Sequence, residues 1–264
     1  MLRSVSSLRL CALRPSSTPV TTQILEAGQI ADWIIEQIEH TYVSKLDGKC
    51  ESSSYDMSGN TWKYFKSFSG KVKNESKLAA TIEDRNPFIH LDDAGLDDFD
   101  TLIIAKLLRY KCGSAKLLDI NNNPLIGDMG MAHVAKHVLA GKSPVRLRSL
   151  FMSGCGLTDL AVNHLMGPLS NPEHGLQILE LRKNCITDTG ATQLAAVLTE
   201  SCPLEFSLFL NNNPEIGEEG VVSLAKAVIE TQGRLKVNLK ESCVNLSAQD
   251  KADVMRMTKN KIRF

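Results

Sequence analysis

The chain has 264 residues, 43% of them hydrophobic, with 30 basic and 30 acidic side chains and a formal net charge of zero. That composition excludes global disorder and a generally cationic coat for nucleic acid. No run approaches the roughly 18 apolar residues of a membrane-spanning helix, and seven cysteines at irregular spacing, none in a CxxC pair, exclude a disulfide framework or a zinc ribbon.

Residues 1–25 hold Arg3, Arg9 and Arg14, many Ser and Thr, and no acid; the first acid is Glu26. Leu2, Leu8, Leu10 and Leu13 lie among the arginines, so a short helix through them has an apolar side and a basic side, ended by Pro15 and Pro19. This is the composition of a mitochondrial or chloroplast transit peptide. A secretory signal needs an unbroken apolar run, which Arg9 and Arg14 interrupt. The expected localisation is mitochondrial, with chloroplast or cytoplasm as alternatives.

Residues 26–86 read as an N-terminal capping region. An amphipathic helix is predicted over 26–42, with Ile30, Trp33, Ile34 and Ile38 along one side. A loop rich in Ser, Gly, Asp and Asn follows over 46–60. Residues 61–73 interleave Trp62, Tyr64, Phe65 and Phe68 with Lys63, Lys66, Lys71 and Lys73. Such a stretch either grips RNA by stacking and phosphate contact or forms a capping strand with a half-buried aromatic face. The neutral chain and the few bases favour the strand.

From residue 87 to 246 an internal repeat dominates. Leu176-Gln-Ile-Leu179-Glu-Leu181-Arg-Lys-Asn184-Cys-Ile186 reads LxxLxLxxNxI, and an apolar helical period follows through Gly190, Leu194 and Leu198. With Asn184 as register, the equivalent positions are Ala94, Asn123, Cys155, Asn213 and Ser242; four of the five spacings are 29 residues and one is 32. At each register the residues five and three earlier are apolar and share one side of a strand. The register asparagine is expected to turn inward and satisfy backbone groups left unpaired by the bend. Cys155 and Ser242 can substitute in part. Helix starts are expected near Asp97, Asp128, Thr158, Asp188, Glu218 and Ser247, and Gly141, Gly167 and Gly233 are expected in left-handed conformations near helix ends. Residues 247–264 read as a C-terminal capping helix carrying Lys251, Arg256, Lys259, Lys261 and Arg263.

These motifs resemble the leucine-rich repeats of the ribonuclease-inhibitor type, in which each unit is a strand followed by a full helix. The resemblance implies an α/β solenoid of about six strand–helix units, with a parallel concave sheet, convex helices and an N-terminal helical cap region. The Ala31-Asp-Trp33 helix, the isolated Trp62 and the repeats behind a transit-like leader are also similar to mitochondrial ATP synthase coupling factor B and its relatives that assist assembly of the complex I membrane arm. That likeness implies a mitochondrial assembly factor or accessory subunit, with subunits of a respiratory or ATP synthase complex as partners. The departure lies in the Asn-Asn-Asn-Pro elbows at 121–124 and 211–214 and in the long helices.

No enzyme, cofactor or metal site is expected. Cys155, Cys185 and Cys243 read as buried structural thiols, since no His is fixed beside them by spacing. His133 and His137 stand four apart on one helix but lack the third ligand of a zinc site, and read as a solvated face. No glycine-rich phosphate loop is present. What remains is the concave strand face, where Asp119, Phe151, Glu180, Phe209 and Asn238 lie four residues before their registers and Arg182 lies two before its own. Aromatics flanked by charges make these six the candidate protein-binding residues. Trp62, Lys63, Tyr64, Phe65 and Lys66 form the second candidate surface. Protein partners are expected and nucleic acid is disfavoured. The alternatives are a regulator of a small GTPase, because the Ran GTPase-activating protein uses repeats of this type, and an RNA-contacting mitoribosomal accessory protein working through 61–73.

Overall fold

The computed structural model describes residues 8–10, 23–25, 87–111, 115–140, 145–171, 173–203, 205–243 and 245–264. The predicted elements at 26–42, 46–60 and 61–73, and with them Trp62, Lys63, Tyr64, Phe65 and Lys66, lie outside the described residues. Near the N-terminus, Leu8–Leu10 (β1) pairs antiparallel with Gln23–Leu25 (β2). That part is extended where a helix was expected.

Residues 88–263 build an open sheet of seven parallel strands in sequential order: Phe88–His90 (β3), Leu117–Asp119 (β4), Ser149–Phe151 (β5), Ile178–Glu180 (β6), Phe206–Phe209 (β7), Leu235–Asn238 (β8) and Ile262–Arg263 (β9). A parallel pair needs a crossover. Here each crossover is helical: Asp98–Lys111 (α1), Asp128–Val134 (α2), Asp159–Ser170 (α3), Asp188–Ser201 (α4), Glu218–Glu230 (α5) and Ala248–Met257 (α6). This is the leucine-rich-repeat α/β solenoid that the resemblance implies. The cross-strand register runs Ile89, Leu118, Leu150, Leu179, Leu208, Val237, each five residues before its predicted register position.

All six of those side chains are buried, as are Leu91, Ile120, Met152, Leu181, Leu210 and Leu239 two residues further on. The helices meet them with Ile103 and Leu107, Met131 and Val134, Leu165 and Leu169, Leu194 and Leu198, and Leu224 and Val228. At about 1.5–3 kcal/mol for each large aliphatic side chain removed from water, stacking neighbours is what stabilises a unit that could not bury its own stripe. The 32-residue unit is also where α2 widens into a π-turn over Ala135–Leu139.

Two expectations are corrected. The C-terminal segment is not helical to its end: α6 stops at Met257, and Lys259 (φ 51°) and Asn260 (φ 59°) reverse the chain into β9. Val237 N–H donates to Lys261 C=O (2.9 Å) and Leu239 N–H to Arg263 C=O (2.7 Å), so β9 closes the free edge of β8. Thr258-Lys-Asn-Lys-Ile262 repeats Thr231-Gln-Gly-Arg-Leu235 of the preceding unit, down to a threonine hydroxyl bonded to the carbonyl four residues before it. Gly167 lies inside α3, Gly233 (φ 76°) does take the left-handed conformation, and Gly141 lies outside the described residues.

Candidate partner-binding surface

Each strand end is bent by a ladder of side-chain amides. Asn184 is buried; its Nδ2 donates to Met152 C=O (3.0 Å), and its Oδ1 accepts from Cys155 N–H (3.0 Å) and Leu157 N–H (3.1 Å). Asn123 serves Leu91, Ile120, Ala94 and Leu96 in the same way, and Asn213 serves Leu181, Leu210 and Ile186. The substitutes work as the sequence implies. Ser242 Oγ donates to Leu210 C=O (2.8 Å) and accepts from Asn213 N–H (3.0 Å), and Cys155 Sγ donates to Ile120 C=O (3.2 Å).

Just before the ladder sits a feature that the leucine pattern hides. Asp93, Asn122, Gly154, Lys183, Asn212 and Glu241, one residue ahead of each register, all have φ between 49° and 65°. Four of the six are Asp, Asn or Gly, the types that tolerate left-handed backbone at least cost. A second ladder was equally unforeseen. Asp98, Asp128, Asp159 and Asp188, each in the first turn of its own helix, reach forward to cap the next one. Asp159 Oδ1 accepts from Thr187 N–H (2.9 Å) and Gly190 N–H (3.1 Å), and its Oδ2 from the Thr187 hydroxyl (2.6 Å). Asp98 does the same for Gly127 and Gly130, Asp128 for Thr158 and Ala161, and Asp188 for Gly217 and Gly220. The carboxylates satisfy orphan N–H groups and complement the helix dipole. A Cβ on Gly190 would lie 2.3 Å from Asp159 Oδ1 and 2.8 Å from Ile186 Cγ2, so the cap requires glycine there.

These two ladders tie each repeat to the next beside the strands and at the helix starts. Asp119, Phe151, Glu180, Phe209 and Asn238 are consecutive cross-strand partners, and all five are half-buried. The six candidate residues therefore do share one face. They also engage one another. The Arg182 guanidinium lies 4.7 Å from the centroid of the Phe209 ring, and its Nε is 3.4 Å from Glu180 Oε1. Ser153 Oγ donates to Glu180 Oε1 (3.0 Å). Asn211 Nδ2 donates to Asn238 Oδ1 (2.8 Å), while Asn211 Oδ1 is buried with no hydrogen-bond partner among the described residues.

The first-repeat end of this face is acidic. His90 Nδ1 lies 3.4 Å from Asp119 Oδ2, and with Asp92 these groups offer three ligand atoms within 4.8 Å of one another. His90 and Asp119 hold the same repeat position in adjacent units, so the cluster was visible once the units were aligned. The opposite end is basic. A cavity of about 510 Å³ there is lined by Lys236, Lys259, Lys261 and Arg263 among others.

The remaining candidate chemistry resolves as follows. Cys155 and Cys243 are buried, and burial pushes both thiols up to about 11; they are not nucleophiles near neutral pH. Cys185 is exposed, contrary to expectation. His133 and His137 are half-buried rather than solvated, and the widened turn that carries His137 packs against α1 and α3. Burial lowers both rings, His137 to about 4 with help from Lys136, Lys106, His133 and Arg109. No described helix is long and apolar enough to cross a membrane.

Against known proteins, a profile for the family described as "Leucine Rich repeat" matches residues 175–195, which span β6 and the first half of α4. Curated proteins give no match. Among solved structures the chain is similar to "Leiomodin-1 Actin-Binding Site 2 (ABS2)", at 17% identity over 62% of this chain and 88% of that one, with a TM-score of 0.48.

Proposed function

We propose that this chain is a non-enzymatic scaffold that binds a protein partner through the concave face of its repeats. The observation carrying the reading is the in-register line Asp119–Phe151–Glu180–Phe209–Asn238, in which two aromatic rings two strands apart flank a charged centre held by Arg182 and Ser153. Partly exposed aromatics and an arginine in a preorganised setting have the composition of interface hot spots. The finer reading is an assembly factor or accessory subunit of a mitochondrial complex, built on repeats of the ribonuclease-inhibitor type. Its support is the acid-free, arginine-bearing leader of residues 1–25 and the weak likeness to the coupling factor B group.

The test is the double variant Phe151→Ala/Phe209→Ala, expressed with an affinity tag in mitochondria-bearing cells beside wild type. Hot-spot truncation costs at least about 2 kcal/mol, roughly thirtyfold in affinity. Partners of the wild type should therefore be lost while the circular dichroism spectrum and urea midpoint stay close to wild type. Undiminished partners with an intact fold would remove the concave face from the reading. Acceleration of GTP hydrolysis by a GTPase at catalytic amounts of the chain would replace the scaffold with a regulator. A fluorescent fusion of residues 1–25 that stays in the cytosol would end the mitochondrial claim.

A further inference from the structure

The cavity at the last-repeat end of the sheet has a composition that the fold does not require. Its lining includes Lys236, Lys259, Lys261 and Arg263, with Ser207, Asn238 and Asn260, and none of its lining residues is acidic. Lys236 has one ion pair, 3.7 Å from Glu205, which is itself 80% exposed, so that pair neutralises little. Lys259, Lys261 and Arg263 have no ion-pair partner among the described residues. Asn238 Oδ1 is already occupied by Asn211 Nδ2 and Lys240 N–H, which directs its own Nδ2 donors away from Asn211. The cavity thus gathers cations and donors in one place inside a chain of zero net charge.

The preceding unit shows which part of this is structural. Its turn, Thr231-Gln-Gly-Arg-Leu235, has the same left-handed pair as Thr258-Lys-Asn-Lys-Ile262. There the left-handed residues are the neutral Gln232 and Gly233, and Arg234 is spent on the fold, donating to Thr231 C=O (3.0 Å) and Cys202 C=O (3.1 Å). In the last unit the same slots hold Lys259, Asn260 and Lys261. Among the described residues Lys261 makes no such side-chain bond; its stem lies against Gly233, whose added Cβ would meet Lys261 Cε at 3.4 Å. The turn needs its backbone shape in both units, but the lysines are an addition in one.

We propose that this cavity is a phosphate-binding site for a ligand carrying a phosphate dianion or a pyrophosphate. A carboxylate neutralises one of the clustered cations. A phosphate brings about 1.5–2 negative charges and three strong acceptor oxygens, which matches several ammonium and guanidinium groups beside amide and hydroxyl donors. At about 510 Å³ the space exceeds a lone ion and falls in the range of small-ligand pockets. The phosphate is either free, as part of a small phosphorylated molecule, or borne by a phosphoserine of a protein segment. The site shares Phe209 and Asn238 with the concave line, but its cations lie on β8, on β9 and in the turn before β9, and its test does not require a partner to bind that line.

The experiment is a titration of the full ¹⁵N-labelled chain, at fixed ionic strength and pH 7.5, with sodium pyrophosphate, with a phosphoserine peptide and its unphosphorylated form, and with citrate. Saturable amide shifts are expected at Ser207, Asn238 and 259–263. Lys259→Gln/Lys261→Gln should weaken binding at least tenfold, and Lys226→Gln, on the helical side, should leave it unchanged. Stronger binding of pyrophosphate than of the phosphopeptide identifies a free phosphorylated ligand; the reverse, with no binding of the unphosphorylated peptide, identifies a modified protein segment. Citrate binding as tightly as either, shifts spread over lysines elsewhere, or unchanged affinity in a folded Lys259→Gln/Lys261→Gln variant would overturn the proposal. If the double variant does not fold, Arg263→Gln takes its place under the same criteria.

Discussion

Replacing Asn184 with alanine removes one side chain and strands three backbone groups. The Cys155 and Leu157 N–H groups lose their shared acceptor, and Met152 C=O loses its donor, all at a buried position. Each unsatisfied buried group costs about 1–3 kcal/mol. The three share one small void and relax together, so the net loss should be about 2–4 kcal/mol rather than their sum. With a urea m-value of about 3 kcal/mol/M, the midpoint should fall by roughly 1 M. Asn184→Ser should recover part of the loss, because Ser242 fills the equivalent position and still donates to the preceding strand. Equilibrium urea unfolding gives the midpoints, and native-state hydrogen exchange should show Cys155 and Leu157 amides losing protection first. A midpoint within about 0.2 M of wild type, with those amides still protected, would refute the claim that the amide ladder carries the bend.

Asp159→Ala should cost about 1–2 kcal/mol, because it uncaps α4 at Thr187 and Gly190; faster exchange confined to the first turn of α4 checks it. Stability should also depend on pH. Burial lowers the folded pKa of His133, His137 and His174 below the ordinary histidine value of 6.5, so below that pH the unfolded chain binds more protons than the folded one. The contribution is complete above pH 6.5 and is lost as pH falls toward about 4, where His137 titrates in the fold. Urea midpoints at pH 7.5 and 5 should show the drop, and His137→Gln should reduce it; a flat or rising profile would contradict the burial of these rings.

The repeat was legible because its signal is local and redundant: the leucine pair at Leu179 and Leu181 and the asparagine at Asn184 recur at nearly constant spacing, and tertiary stacking enforces the same register. Sharing a face on the concave side follows from that register alone, so Asp119, Phe151, Glu180, Phe209 and Asn238 could be grouped before any coordinates. What the register does not encode is which neighbour a side chain chooses. The sequence places Asp128 and Asp188 at the starts of their own helices, but their oxygens, like those of Asp98 and Asp159, serve the next helix, a choice fixed only when the units stack. The last strand was missed for a different reason. Ile262–Arg263 has no LxL pattern, and five basic residues in a helical-looking tail mask the turn at Lys259 and Asn260. The exposure of Cys185 next to the buried Asn184 likewise depends on a one-residue alternation at the end of the bend.

The central claim, that the concave face is where partners dock, is tested most directly by hydroxyl-radical footprinting of the wild-type chain, free and in the complex purified with its partner. Phe151 and Phe209 on the concave strands and Leu160 and Met257 exposed on the helices report on opposite sides of the same molecule. The account predicts that partner binding suppresses oxidation of the two phenylalanines and leaves Leu160 and Met257 unchanged. Protection of Leu160 or Met257, with Phe151 and Phe209 oxidised as in the free chain, would contradict it.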